Sequence, residues 1–218
     1  TGETSHSIIA RKVAAEGTVL LKNEDNILPL SRDGWPSFVK AAEQLDMKCR
    51  VGIFGEDAGE GDGPNACGDR GCNQGTLGSG WGSGAVEFPY LVSPLVALKK
   101  AFNLDKVSVT EFPTNTPPFE TDPAILKDQD ICLVFANADS GEGFLTADGI
   151  RGDRNDLYLQ KGTDKLISEV ATGCGDGSGK TIVVIHSVGP IILENWFNIT
   201  GVKAIILANL PGQESGNA

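Results

Sequence analysis

The chain has 218 residues, 40% of them hydrophobic, which suffices for one large domain or one and a half small ones with a real core. Its 29 acidic against 18 basic residues give a net charge of -11 that no lysine or arginine cluster offsets. That argues against nucleic acid or an anionic membrane as partner and suits a neutral ligand such as a sugar. No stretch reaches transmembrane length, and the N-terminal residues do not read as a signal peptide.

Taken in order, residues 5–16 place Ile9, Val13 and Glu16 on one helical face, a helix stopped by Gly17. It reads as a bridge from something upstream. Residues 1–30 are therefore expected to be a linker helix and leading strand, and 31–218 an α/β domain incomplete at its C-terminus. Thr18–Leu21 is β-prone and Asn23–Asn26 is a turn. Phe38, Val39, Ala42 and Leu45 predict a short helix, and VGIFG (51–55) a strand buried on both faces. Residues 56–90 are glycine-dominated and lack periodicity, yet they hold Cys67, Cys72, Trp81, Phe88 and Tyr90, so an ordered loop is expected. Ser93 is a fair N-cap with Pro94 at the first turn of a helix carrying Leu95, Leu98 and Phe102.

Val107–Phe112 reads as a weak strand, residues 113–123 as a Pro-rich loop and Ala124–Gln129 as a helical turn. Further on, 149–153 is turn-like, 162–171 a helix, 172–179 a flexible insertion and TIVVIHS (181–187) a buried strand. Ile191–Phe197 predicts a short helix, VKAIILAN (202–209) a strand and Gln213–Asn217 a helix start. Strands near 51, 107, 131, 181 and 203 alternate with helical segments. This predicts an α/β fold, a mostly parallel β-sheet with helices on both faces.

The stretch most charged with chemistry is ICLVFANADSGEGF, 131–144. An apolar run short enough for a buried strand empties into a polar loop with glycines on both sides of Glu142, where open α/β sheets place their sites. Glycoside hydrolysis needs two carboxyl groups, one to protonate the leaving oxygen and one to attack or to activate water. Glu142 suits the acid; Glu56, Asp57 and Asp139 also stand at predicted strand ends. Trp81, Phe88, Tyr90 and Phe144 offer faces on which a sugar could stack.

Other motifs are weaker. The glycine runs lack both GK[ST] and GxGxxG. Ser140 is not in G-x-S-x-G, and a Ser-His-Asp triad with His186 could arise only through the fold. Arg151-Gly152-Asp153 is a short chance tripeptide. Cys67 and Cys72 could close a small disulfide, Cys132 reads as a buried thiol, and Cys49 could pair with Cys174. With only His6 and His186 in the chain, no metal site is expected. Asn198-Ile199-Thr200 is a glycosylation acceptor.

Together, AAEGTVLLKNEDNILPL (14–30), GEDAG (55–59), GPNACGDRGCNQGTLGSGWGSG (63–84), FPYLVSP (88–94), ANADSGEGF (136–144), GDRNDL (152–157), TIVVIHSVGP (181–190) and LPGQESGN (210–217) resemble the second, α/β-sandwich domain of fungal β-glucosidases of glycoside hydrolase family 3. The resemblance implies a secreted, extracellular glycoprotein, without cofactor, that removes β-D-glucosyl residues from non-reducing ends of β-glucosides or cello-oligosaccharides with retention. Glu142 would be the general acid/base. The nucleophile would be an aspartate of an upstream (β/α)8-type barrel, with the active site between the two domains. Asp57, Trp81, Asp139 and Phe144 would be on the substrate side, Phe144 standing where the family usually has tyrosine. Cys67 and Cys72 would be bonded in a loop near that interface. The alternative is a non-catalytic carbohydrate- or protein-binding fragment.

Overall fold

The computed structural model describes residues 5–34, 47–63, 65, 73–143, 146–147 and 149–218. Helix α1 is Ser5–Gly17 and strand β1 Val19–Asn23; β2 is Cys49–Phe54, α2 Pro94–Ala101, β3 Val107–Phe112 and α3 Ala124–Lys127. Then come β4 (Ile131–Ala138), the small hairpin β5 (Thr146–Ala147) and β6 (Ile150–Arg151), α4 (Thr163–Gly173), β7 (Lys180–Ser187) and β8 (Val202–Asn209). Six strands form one sheet in the order β1-β8-β7-β4-β2-β3, parallel except for β1, which runs antiparallel to β8. The expected helix over Phe38–Leu45 lies outside the described residues.

The strand read as central is central. All eight residues of β4 are buried, because side chains alternate between two covered faces. Cys132, Val134 and Ala136 pack in one core with Leu166, Ile167 and Val170 of α4. Ile131, Leu133 and Phe135 pack in the other with Ile27 and Phe102, against Leu95 and Leu98 of α2. The N-terminus of α2 forms as expected: Ser93 Oγ accepts from the Val96 N–H at 3.4 Å, and Pro94 takes the first helical position.

Three expectations are corrected. Cys132 is not a thiol and Cys49 does not pair with Cys174; the bond is Cys132–Cys174. The two faces of the sheet explain it, since Cys132 and Cys174 share one core while Cys49 is buried in the other. Residues 172–179 do not stand apart from the fold as an insertion: Thr172 and Gly173 close α4, and Cys174–Gly177 form a turn with Cys174 fully buried. Ile191–Phe197 is not a helix but a chain of turns, held from outside by the buried Trp196, whose Nε1–H donates to Asp164 Oδ1 at 2.7 Å.

From β2 the chain crosses to β3 on one side, whereas β4, reached next, lies on the other side of β2. The crevice beyond the C-terminal ends of β2 and β4 is thus the topological switch point of the sheet, where open α/β folds bind ligands.

Candidate active site at the switch point

After β2 the chain makes a 3-10 turn, Glu56–Ala58, that aims Asp57 inward across the strand ends. Asp57 is 1% exposed. Its Oδ1 accepts from the Leu77 N–H at 2.8 Å and from Asn137 Nδ2 at 3.0 Å; its Oδ2 lies 2.6 Å from His186 Nδ1. Asn137 and His186 are register partners near the ends of β4 and β7, which brings them to Asp57 together. Asn137 also exchanges amide hydrogen bonds with Asn73 at 2.9 and 3.3 Å.

Beyond β4 the loop bearing Glu142 is fastened at its base. The Gln160 amide grips both backbone groups of Asp139, accepting from its N–H at 2.9 Å and donating to its carbonyl at 2.7 Å. Asp139 Oδ1 accepts from the Ser140 N–H at 2.7 Å, and Ser140 Oγ accepts from the Arg154 N–H at 3.2 Å. The glycine-rich loop packs alongside. A Cβ at Gly141 would stand 2.6 Å from Trp81 Cε2, and one at Gly82, where φ is +75°, would stand 2.8 Å from Glu142 Cγ. Only glycine permits this approach of two loops. Glu142 is half-buried, and none of the described residues donates a hydrogen bond to its carboxyl.

The sequence-predicted residues are therefore placed differently from one another. Glu142 is at the rim. Asp57 and Asp139 are buried beneath it, 1% and 2% exposed. Trp81 is 3% exposed, and its ring lies under the Glu142 loop rather than on an open surface. Phe144, Cys67 and Cys72 lie outside the described residues. Asn198 is exposed on a turn. Tyr90 donates its hydroxyl hydrogen bond to Glu214. No group of three or more His, Cys, Asp or Glu among the described residues has the geometry to hold a metal ion.

Two residues that sequence reasoning did not single out carry buried charge and hydrogen bonding. Ser215 Oγ stands 3.4 Å from His186 Nε2 and 2.7 Å from Thr76 Oγ1. The order Asp57–His186–Ser215 has the outline of a hydrolase triad, but Ser215 is 8% and His186 1% exposed, with the hydroxyl held by Thr76. Ser140 and Ser187 bond to neighbouring backbone instead of to His186. Glu214, 2% exposed, accepts from Arg11 Nη2 at 3.1 Å, Asn217 Nδ2 at 2.9 Å and the Tyr90 hydroxyl. Burial opposes its charge; the bonds from Tyr90, Asn217 and Arg11 and the arginine's charge outweigh that and hold it below its ordinary value. No local pattern marks either residue, because apart from Asn217 their partners, Arg11, Tyr90, Thr76 and His186, lie far off in the chain.

Known proteins with this architecture share its sequence. The chain is 63% identical over its whole length to "Probable beta-glucosidase E" of Aspergillus clavatus, covering 20% of that protein. It matches the Chaetomium thermophilum beta-glucosidase structure with a TM-score of 0.82 and 45% identity, over 99% of this chain and 23% of that one. For the beta-D-glucoside glucohydrolase of Trichoderma reesei the TM-score is 0.83 and the identity 37%, over 99% of this chain and 28% of the other. The chain thus spans between a fifth and a third of the length of these relatives. Residues 18–218 match the family described as "Glycosyl hydrolase family 3 C-terminal domain". With this match and this identity over its whole length, the chain belongs to the glycoside hydrolase family 3 C-terminal domain family.

Proposed function

We propose that this chain supplies the general acid/base, Glu142, of a retaining β-glucosidase that acts on terminal non-reducing β-D-glucosyl residues. The observation that carries the reading is the position of Glu142. It stands beyond the central strand, at the switch-point rim, half-buried between two packed loops, with no described residue neutralising its carboxyl. The β-glucosidases similar to this chain supply the substrate class.

In this role the Glu142 carboxylic acid protonates the glycosidic oxygen as the C–O bond breaks. A nucleophilic carboxylate attacks the anomeric carbon from the opposite face and forms a glycosyl-enzyme. Glu142, now a carboxylate, then removes a proton from the water that hydrolyses that ester. The nucleophile belongs to a barrel domain beyond these residues. The two carboxyl groups act as a unit, so the 218 residues alone turn over no aryl β-glucoside. The buried Cys132–Cys174 bond and the exposed Asn198 acceptor support folding in an oxidising, secretory compartment.

The test uses a full-length protein carrying this chain. Glu142→Ala should lose activity on a poor-leaving-group glucoside. With an activated aryl glucoside and added azide it should form β-glucosyl azide, because azide attacks the glycosyl-enzyme without needing a base. Full activity in Glu142→Ala, or no azide product, would overturn the assignment.

A further inference from the structure

Beneath the Glu142 loop lies one continuous buried hydrogen-bonded network. Thr76 Oγ1 and Ser215 Oγ are 2.7 Å apart, Ser215 Oγ and His186 Nε2 3.4 Å, and His186 Nδ1 and Asp57 Oδ2 2.6 Å. Asp57 Oδ1 then accepts from Asn137 and from the Leu77 N–H. Every link can be satisfied in one direction: Thr76 donates to Ser215, Ser215 to Nε2, and Nδ1–H to the carboxylate.

Holding a carboxylate and an imidazole at 1% exposure is no efficient route to stability, since well-packed apolar side chains of similar volume usually serve as well or better. What the pair does achieve is placement. It joins the turn after β2, the ends of β4 and β7, the turn at 212–217 and the glycine-rich loop. The last of these connects to the site. Leu77 is fixed by Asp57, and the same loop then runs to Trp81, which backs Gly141, and to Gly82, which abuts Glu142.

We propose that Asp57 and His186 are positioning residues for the acid/base step: through the segment Leu77–Gly82 they set where the Glu142 carboxyl stands. The proposal rests on Glu142 being the acid/base. Neither Asp57 nor His186 touches the substrate or transfers a proton to it.

A positioning role has a signature that lost stability lacks. Protonation matters for a poor leaving group such as methanol and hardly at all for 2,4-dinitrophenolate, and general acid catalysis contributes about 10²–10⁴-fold. In a full-length protein carrying this chain, kcat/KM is measured per folded molecule for methyl and for 2,4-dinitrophenyl β-glucoside. Glu142→Gln serves as the reference. Asp57→Asn and His186→Gln should lose at least about tenfold more on the methyl glucoside than on the dinitrophenyl glucoside. Ser215→Ala, which removes only the outer link, should show the same bias more weakly and carries the test if the other two do not fold. Equal losses on both substrates, or none, in these variants while Glu142→Gln is selective would overturn the positioning role and leave the acid/base reading standing. Absence of selectivity in Glu142→Gln itself would overturn both.

Discussion

The indole of Trp81 lies against the α-carbon of Gly141, the residue before Glu142, so closely that no side chain could stand between them. This contact makes the two loops one unit, and it gives a sharp prediction. Gly141→Ala must push the indole or the Glu142 loop aside, because the obstacle is a rigid ring 3% exposed. A displacement of about 1 Å at a catalytic group costs about a hundredfold in rate. Steady-state kinetics of a full-length protein carrying Gly141→Ala should show that loss. Gly84→Ala, on the same glycine-rich loop, meets nothing within 4 Å and should behave as wild type. Equal behaviour of the two variants would mean that the contact does not hold the site.

What the sequence disclosed and what it withheld divide along physical lines. Strand β4, its polar outlet and the Ser93–Pro94 helix start are local patterns, carried by alternating burial and by cap chemistry within a few residues. They were legible. The Asp57–His186 pair joins residues 129 apart in sequence, and nothing near either residue announces the other. Trp81 offered a face for a sugar to stack on, and its burial was not legible because its cover comes from Gly141, on a different loop. The reading of Cys132 as a buried thiol failed for a related reason, and the pairing of Cys49 with Cys174 was open in the sequence. Spacing does not say which face of a sheet a residue takes; the strand parity that puts Cys132 beside α4 and Cys49 on the far side emerges only with the sheet.

That pairing leads to a second prediction. The Cys132–Cys174 bond closes a segment of 42 residues between the central strand and the turn after α4. Constraining an unfolded loop of that length stabilises the folded state by about 4 kcal/mol on the chain-entropy relation. Replacing both cysteines by alanine should lower the urea midpoint by a corresponding amount. Peptide mapping of the unreduced chain should recover the fragments around Cys132 and Cys174 joined. Recovering Cys174 joined to Cys49 would contradict the two-core arrangement.

A third concerns Asn198, which is exposed on the turn after Trp196, with Thr200 completing the acceptor triplet. The anchoring of Trp196 to Asp164 holds this turn outward. Expressed through a eukaryotic secretory pathway, the chain should carry glycan at Asn198, seen as a mass shift removed by endoglycosidase and absent in Thr200→Ala. A wild-type mass equal to that of the bare polypeptide and unchanged by endoglycosidase would count against use of the site.

The last prediction follows from Glu214. Its folded-state value lies below the ordinary 4.5, because Tyr90, Asn217 and Arg11 bond the carboxylate more than burial penalises it. A group depressed on folding contributes stability that is complete above its unfolded value and is lost as pH falls through its folded value. Glu214→Gln keeps the shape but loses the charge, and hydrogen bonds to a charged group contribute about 1.5–3 kcal/mol each. At neutral pH the variant should therefore be less stable by about 1–3 kcal/mol. As pH falls from about 5 to about 3, wild type should lose this contribution and the variant should not, so the gap between their urea midpoints narrows. Arg11→Met should give a smaller neutral-pH loss, since the Arg11 side chain is 35% exposed and solvent already screens its charge. A gap that stays constant over that pH range would show that the Glu214 contribution is packing, with no share from its charge, and that α1 is fastened to the 212–217 turn by shape alone.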